Sequence, residues 1–426
     1  MSAIARMRAV CASMLIGVSI VAPACSAEAV NPEGELTLAR ALDAALRSNP
    51  HLLASAYELN AAQARIVQAG LRPNPQLAAE LENFVGSGGY RQVDALETTL
   101  SLSQVVELGS KRVLRRSVAE SELDTVTLEQ RARELDVLAE VTRRFIDAVA
   151  AQERVRFESE AVALAQQTLD AIAHRVQAGR SPEAERSRAR IAVTRAELEH
   201  RSAQGELRGA RYVLASSWGS AEPAFTSARA DLFDLRRVES FPALIQQLER
   251  SPELLIFVSE ARLREAELRL AQAQARPDLN LSLGVRRFEA SNDAALVAGF
   301  SLPLPISNRN QGAIREAHVR MSQNEALRVA ALVRARASLV GIYQEMDSAR
   351  VRVDTLRNDA LPLAQQALEQ TRAGYERGRF SFLELATAQQ ELLALRAAVI
   401  DAAADYHRML AEIERLTSAP LIAPTP

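Results

Sequence analysis

Aromatic residues, cysteines and net charge are all scarce in this sequence, and each shortage excludes a class of protein. The 426 residues carry a formal net charge of -2 and 4% aromatic side chains. We therefore expect no nucleic-acid partner, because basic surfaces and stacking platforms are both missing. There is no Gly-x-Ser-x-Gly, phosphate-loop or His-Glu-x-x-His motif, and the five histidines are scattered. We predict that the protein is not an enzyme and has no cofactor and no resident metal site.

The two cysteines, Cys11 and Cys25, both lie near the N-terminus. Two arginines precede an apolar run there and small residues follow it, an order typical of a cleaved secretory signal, which we place at 1–27. Cys11 would be removed with the signal, so the mature chain could form no internal disulfide. Cys25 is either part of an ordinary cleavage site or a lipid anchor, acylated as the first mature residue.

Glycine and proline are absent from residue 111 to residue 178, a stretch of 68 residues. Apolar and small side chains recur there at alternating steps of four and three, which predicts a helix packed along one seam. At 1.5 Å per residue this helix would measure about 100 Å. Charged side chains occur throughout it, so it must stand in water rather than in lipid. The predicted seam residues are Leu114, Val118, Ser121, Thr125, Leu128, Ala132, Leu135, Ala139, Thr142, Ile146 and Val149.

One unit of the sequence occurs twice, at a spacing typical of a duplicated domain rather than of a solenoid repeat. We place the first repeat at 28–216, a connector at 217–240, the second repeat at 241–418 and a tail at 419–426. The matched pairs are Pro50 with Pro252, Pro73 with Pro277, Lys111 with Arg309, and Gly179 with Gly378, at offsets of 202, 204, 198 and 199.

We predict one β-hairpin in each repeat, at about 76–106 in the first and at about 278–305 in the second. Apolar and polar residues alternate there, as in half-buried strands. The chain thus offers four strands, and we predict no more. In lipid, β-structure is stable only as a closed barrel, and four strands are too few to close one. Either several copies share one barrel, or the hairpins form small sheets on soluble domains.

A long helical hairpin is predicted after each β-hairpin, at about 110–216 and at about 310–417. The first long helix contains no helix breaker. The second contains Gly341 and Pro362, and we expect it to be interrupted at both. The predicted fold class is therefore mostly α with a β part.

The chain resembles the TolC-like outer membrane efflux factors over nearly all of its mature length, and within them the heavy-metal branch. Val105 and Ser110 depart from that branch, which often has Pro and Gly at these positions. The resemblance is carried by the run from Ser103 to Arg112, the run from Leu302 to Gly312, Leu361-Pro362, and the run from Gly374 to Leu385.

The resemblance implies a homotrimer of TolC-like duplicated helical hairpins in the outer membrane of a Gram-negative bacterium. Three copies would form a twelve-stranded β-barrel in the membrane and a twelve-helix α-barrel in the periplasm. A periplasmic adaptor (membrane fusion protein) and an inner-membrane resistance–nodulation–division (RND) pump would deliver the cargo to this passive duct. The implied cargo is a heavy-metal cation of cobalt, zinc, cadmium, nickel, copper or silver. Two alternatives stay open, namely a duct for organic drugs or type I secretion, and a periplasmic coiled-coil scaffold.

The resemblance also implies acidic residues around the periplasmic mouth of the duct. Glu185 and Glu384, each six residues beyond a tip glycine, are the gate candidates, because rings of carboxylates attract cations. Alternatively, both are ordinary solvated residues of a first helical turn. Phe380 either docks on the adaptor or packs on its own hairpin. The implied adaptor contacts are Gly179, Arg180, Ser181, Gly378, Arg379, Phe380 and Ser381.

Overall fold

A computed structural model describes residues 31–91, 93–235 and 240–418. The predicted signal peptide, with Cys25, and the predicted tail lie outside the described residues. The first part of the chain contains β1 (Gly34–Thr37), α1 (Leu38–Ser48), α2 (Pro50–Ala69), β2 (Gln76–Glu82), β3 (Glu97–Val106), α3 (Lys111–Gln177), α4 (Glu183–Ser216) and β4 (Phe225–Arg229). The second contains α5 (Phe241–Leu248), α6 (Pro252–Gln274), β5 (Leu279–Phe288), β6 (Asp293–Ser301), α7 (Gln311–Thr355), a π-helical segment (Leu356–Ala360), α8 (Leu361–Glu376) and α9 (Phe382–Thr417).

The two β-hairpins join in one antiparallel sheet of order β2-β3-β5-β6. They join because β3 pairs with β5 along its whole length, from Glu97 opposite Phe288 to Val106 opposite Leu279. Strands β2 and β6 form the two edges of this sheet. The prediction that the second hairpin reaches residue 305 is wrong, since β6 ends at Ser301. Prolines at 303 and 305 lack the N–H that a continuing strand would donate.

The two faces of this sheet differ sharply. One face is apolar and open to solvent, with Leu296 80% exposed and Phe300 78% exposed. The opposite face is polar, and Arg286 lies on it near the end of the sheet that carries the hairpin loops. The Arg286 guanidinium is 2.8 Å from Glu82 Oε2 and 3.0 Å from Glu97 Oε2. The alternation predicted from the sequence therefore exists, but nothing in the described part of the chain covers the apolar side of the sheet. Its exposed members include Leu77, Leu81, Leu100, Leu102, Leu281, Leu283 and Val285.

The prediction of only four strands is wrong, because the described residues contain six. Strands β1 and β4 pair in parallel in a separate sheet, with Leu36 opposite Ala228. With four and five residues they are too short for alternation to stand out. The core beside them buries Leu36, Trp218 and Phe145 against α1, α3 and α4. This core ties the start of the chain to its connector.

Helix α3 confirms the long helix predicted over 111–178, and none of the predicted seam residues on it is exposed. The predicted break at Gly341 is wrong, because α7 continues through it. One glycine costs a helix only about 1 kcal/mol, which neighbouring turns can offset. The predicted irregularity at Pro362 is confirmed by the π-helical segment that ends two residues earlier. A proline inside a helix disturbs the α-helical hydrogen bonds of the preceding turn, because its ring clashes with the carbonyl group four residues before it.

The long helices lie side by side. Helix α3 packs against α4 and α9, and α9 packs in turn against α7 and α8. Nearer the four-stranded sheet, α2 packs on α3, and α6 packs on both α3 and α7. In the described ranges, no helix combines the length and the apolar character that a membrane crossing needs. Helix α3 begins just after β3, and α7, continued by α8, begins just after β6. The helical tips, formed by residues 178–182 and 377–381, therefore lie at the ends of these helices that are far from the sheet.

Candidate gate at the helical tips

The two helical tips are built in the same way. Gly179 has φ +70° and Gly378 has φ +75°, a left-handed conformation that glycine adopts without strain. After each glycine, the next N–H donates to the carbonyl oxygen five residues earlier, at 2.8 Å in both tips. This is the hydrogen-bond pattern of a glycine C-cap, and it turns the chain sharply into the returning helix.

Glu185 is bound to the other helical hairpin of the same chain. The Tyr375 hydroxyl donates to Glu185 Oε2 at 2.8 Å, and the Ser181 hydroxyl lies 3.4 Å from the Tyr375 oxygen. Arg175 Nε donates to Ser181 Oγ at 3.2 Å, and Arg175 Nη1 donates to the Glu376 carbonyl oxygen at 2.9 Å. The Arg175 guanidinium also lies 4.7 Å from the centre of the Tyr375 ring, within the range of a cation–π contact. We call these five residues the tip network.

Tyr375 is the buried member of the tip network, with 4% of its surface exposed. Burial raises the pKa of its hydroxyl, the hydrogen bond with Ser181 lowers it, and the hydrogen bond with Glu185 raises it again. The net direction is upward, so the phenol keeps its proton at neutral pH. A neutral phenol can donate to the Glu185 carboxylate, which is the charged acceptor that this geometry needs.

Glu384 has a different environment, because it belongs to a capping box at the start of α9. The Ser381 N–H and hydroxyl donate to Glu384 Oε2 at 2.6 Å and 2.9 Å, and the Glu384 N–H donates back to Ser381 Oγ at 3.3 Å. The backbone hydrogen bond from Ser381 and then the hydroxyl hydrogen bond lower the pKa of the exposed Glu384 carboxyl. The two gate candidates are thus not equivalent. One bridges two hairpins and the other caps its own helix.

Phe380 packs on its own hairpin. A Cβ added at Gly374 would lie 2.1 Å from Phe380 Cδ2, so the phenyl ring rests directly on the glycine backbone. The ring is still 42% exposed, which leaves a face for a partner. Of the predicted adaptor contacts, Ser181 is half-buried in the tip network. The others, Gly179, Arg180, Gly378, Arg379, Phe380 and Ser381, are exposed.

Sequence reasoning missed Tyr375 and Arg175. A signal for Tyr375 was available, because the repeat matches it to Val176 in the first copy. A tyrosine that is buried where the first repeat has a half-buried valine needs a partner for its hydroxyl. In the described ranges no group of three or more His, Cys, Asp and Glu side chains is arranged to hold a metal ion.

The motif from Ser103 to Arg112 connects the two repeats. Lys111 Nζ lies 2.7 Å from Asp278 Oδ1, and the Leu108 N–H donates to the same oxygen at 3.1 Å. Gly109 has φ +76°, and a Cβ there would lie 2.8 Å from Arg276 Cδ. The positive φ favours glycine at this junction, and a larger residue would also displace the Arg276 side chain of the Arg-Pro element.

Comparison with known proteins places these features in one family. The family model described as "Outer membrane efflux protein" matches residues 41–220 and 243–419. The chain is 31% identical to the cobalt-zinc-cadmium resistance protein CzcC of Cupriavidus metallidurans over 90% of each chain. It is 24% identical to the nickel-cobalt-cadmium resistance protein NccC of Alcaligenes xylosoxydans over 67% of this chain and 64% of that one. The crystal structure of CusC, at 19% identity, shares the fold with a TM-score of 0.76 over 89% of this chain and 91% of that chain. The chain belongs to the outer membrane efflux protein family.

Proposed function

We propose that three copies of this chain form a passive duct through the outer membrane and periplasm, as the exit component of a tripartite metal efflux system. The four-stranded sheet carries this proposal. It presents an apolar face to its surroundings, and among the described residues its edge strands, β2 and β6, are each paired on one side only.

A closed barrel in the membrane would both pair the free strand edges and cover the apolar face with lipid. A sheet in lipid must satisfy every strand edge, and a closed barrel does so. If β6 of one copy pairs with β2 of the next, three sheets of four strands close into one barrel. The apolar face then contacts lipid, and the polar face, with Arg286 between Glu82 and Glu97, lines the lumen.

The proposed cargo is a divalent metal cation. The support is the likeness to CzcC and NccC, whose names state resistance to cobalt, zinc, cadmium and nickel. A conduit benefits from weak cation contacts rather than from a tight metal site, because a tightly bound ion would leave slowly. The cation would move by diffusion, and the energy would come from an inner-membrane RND pump through a periplasmic adaptor.

The helical tips are the proposed gate and adaptor contact. Both hairpins of one chain are held together there by the tip network, so opening the mouth requires Tyr375 to release Glu185. Glu185 and Glu384 would then face the passing cation, and Phe380 with its neighbouring exposed residues would meet the adaptor.

Deletion of the gene in its host tests the cargo. We expect sensitivity to cobalt, zinc or cadmium to rise and to return to normal with the intact gene, while sensitivity to detergents and organic dyes stays unchanged. A strain that becomes sensitive only to organic compounds would assign the duct to drugs instead. The mature protein should require detergent for its extraction from outer membranes and should be a trimer in that detergent. A mature protein that is a stable monomer in buffer without detergent would exclude the shared barrel and favour the periplasmic scaffold.

A further inference from the structure

The two repeats bury equivalent side chains, so the residues of one can be matched to those of the other. Before the π-helical segment the matched numbers differ by 198, as in the buried pair Ala148 and Met346. After it they differ by 199, as in the buried pair Leu214 and Ile413. A π turn contains one residue more than an α turn, which explains the change. Other matched buried pairs are Val141 with Leu339, Val193 with Leu392, and Ala203 with Ala402.

Inside the chain, α9 of the second repeat packs against α3 of the first, and we call this contact the inner seam. A ladder of five ion pairs crosses it. All five join side chains more than 200 residues apart, so they link the two repeats rather than neighbouring turns. The pairs are Asp136–Arg415 at 3.1 Å, Arg143–Glu412 at 2.8 Å, Asp147–Arg408 at 2.8 Å, Arg154–Asp401 at 2.6 Å and Glu160–Arg396 at 3.1 Å.

Helices α4 and α7 each carry an uncovered apolar strip. On α4 the strip includes Ile191, Leu198 and Tyr212, which recur at multiples of seven residues and are all exposed. On α7 it includes the exposed Val333 and Val340. By the repeat, α4 corresponds to α9, and α7 corresponds to α3. A second copy of the chain can therefore seat its α4 on α7 as α9 is seated on α3.

We propose that this contact between copies, the outer seam, repeats the geometry of the inner seam without its ion pairs. The proposal rests on the proposed function, because it needs copies that share one duct. At four of the five ladder positions, the two matched residues do not form a pair of opposite charges. At the fifth position, the π-helical segment interrupts the match between the repeats. The matched pairs are Arg334 with Ser216, Gly341 with Val213, Glu345 with Gly209, and Arg352 with Ser202.

The strand-to-helix junction gives the same result independently. Within the chain, Lys111 pairs with Asp278 at 2.7 Å. The matched residues are Arg309 and Asn74, at offsets of 198 and 204, and both are exposed in the single chain. Where the inner contact joins a cation to a carboxylate, the outer one would join a cation to an amide.

Because only the inner seam has ion pairs, the two seams are stabilised by different interactions. Charge pairs fix the partners of α3 within one chain, since a wrong register would place like charges together. The outer seam depends on apolar contact and so has little charge-based register of its own. An ion pair placed at the outer seam should strengthen the assembly without altering the fold of the chain.

The variant Ser202→Asp tests this inference. In the inner seam Asp401 pairs with Arg154, and the matched residues in the outer seam are Ser202 and Arg352. The new carboxylate would therefore face Arg352 of the neighbouring copy. Ser202 and Arg352 are both exposed, so the single chain should tolerate the change. We expect the trimer in detergent to dissociate at a higher temperature than the unaltered protein. Ser202→Asn is the matched neutral control and should give no gain. Ser202→Asp combined with Arg352→Gln should lose the gain; if it keeps it, the pairing is wrong.

A cross-linking experiment separates this inference from the proposed function. The trimer carrying Ser202→Cys and Arg352→Cys, treated with a short bismaleimide, should give covalent dimers and trimers, and each single variant should give none. The inner-seam pair Arg154→Cys with Asp401→Cys should link only within one chain. A trimer that yields no links between copies would overturn the outer seam and leave the duct intact. Absence of any trimer would overturn the duct itself.

Discussion

The hydroxyl of Tyr375 donates a 2.8 Å hydrogen bond to Glu185, a residue 190 positions earlier in the chain. It joins the tip of the second helical hairpin to the first turn of α4. The ring that carries the hydroxyl is buried beneath the Arg175 guanidinium. The two hairpins of one chain therefore cannot separate at this end unless a buried hydrogen bond to a carboxylate is broken.

Tyr375→Phe removes this hydrogen bond and keeps the ring. A hydrogen bond to a charged group is worth about 1.5–3 kcal/mol, so the closed arrangement should lose about that much relative to an open one. We expect a higher open probability in planar bilayers. Tyr57→Phe, at an exposed site on α2, is the control and should leave the conductance unchanged. Equal conductance of the two variants would show that the tip network does not hold the gate.

Glu384 and Glu185 should respond differently to amide substitution. Glu384→Gln weakens a capping box, so amide exchange should accelerate in the first turn of α9 and nowhere else. Glu185→Gln should instead accelerate exchange at the tips of both hairpins, because it weakens a bridge between them. The lowered pKa of Glu384 means that its contribution is present above the ordinary glutamate pKa and is lost as pH falls through the lowered value. Hydrogen exchange followed by mass spectrometry measures each of these effects.

The sequence predicted α3 well because a 3.5-residue repeat without glycine or proline leaves few alternatives. It did not predict β1 and β4, whose pairing depends on a contact between residues more than 180 positions apart. The tip residues were located correctly from Gly179 and Gly378, because each glycine ends a helix by a local rule. The partner of Glu185 was not predicted, because a side-chain contact between two hairpins has no local signature.

Gly374→Ala should disturb the second tip. The added Cβ would lie 2.1 Å from Phe380 Cδ2, so the ring must leave its position on the hairpin. We expect faster proteolysis at the second tip, and partial recovery when Phe380→Ala is added. Gly312→Ala is the control, since a Cβ there has no neighbour within 4 Å. If Gly374→Ala and Gly312→Ala are cleaved at the same rate, the contact with Phe380 contributes nothing to the tip.

Arg286 should be important for the stability of the four-stranded sheet. Arg286→Gln leaves Glu82 and Glu97 without the cation between them and removes the hydrogen bond to Thr99 Oγ1 at 2.9 Å. We expect a loss of about 1–3 kcal/mol, seen as a lower urea midpoint of unfolding in detergent. Arg287→Gln, one residue away on the opposite face, should cost less, because exposed ion pairs contribute only about 0–1 kcal/mol. Equal midpoints for the two variants would contradict a special role for Arg286.

The contact between the connector and α9 should weaken in mild acid through His407. Its ring lies 3.0 Å from the Leu232 carbonyl oxygen, near Asp231 and Asp234, and burial lowers its pKa despite these groups. Because the folded pKa lies below the usual value of about 6.5, the unfolded chain binds the proton more readily, and stability falls as pH drops below that value. The protection of amides around Leu232, measured relative to the intrinsic exchange rate at each pH, should therefore be lower at pH 5 than at pH 7.5. In His407→Gln this pH dependence should disappear; if it persists, another group is responsible.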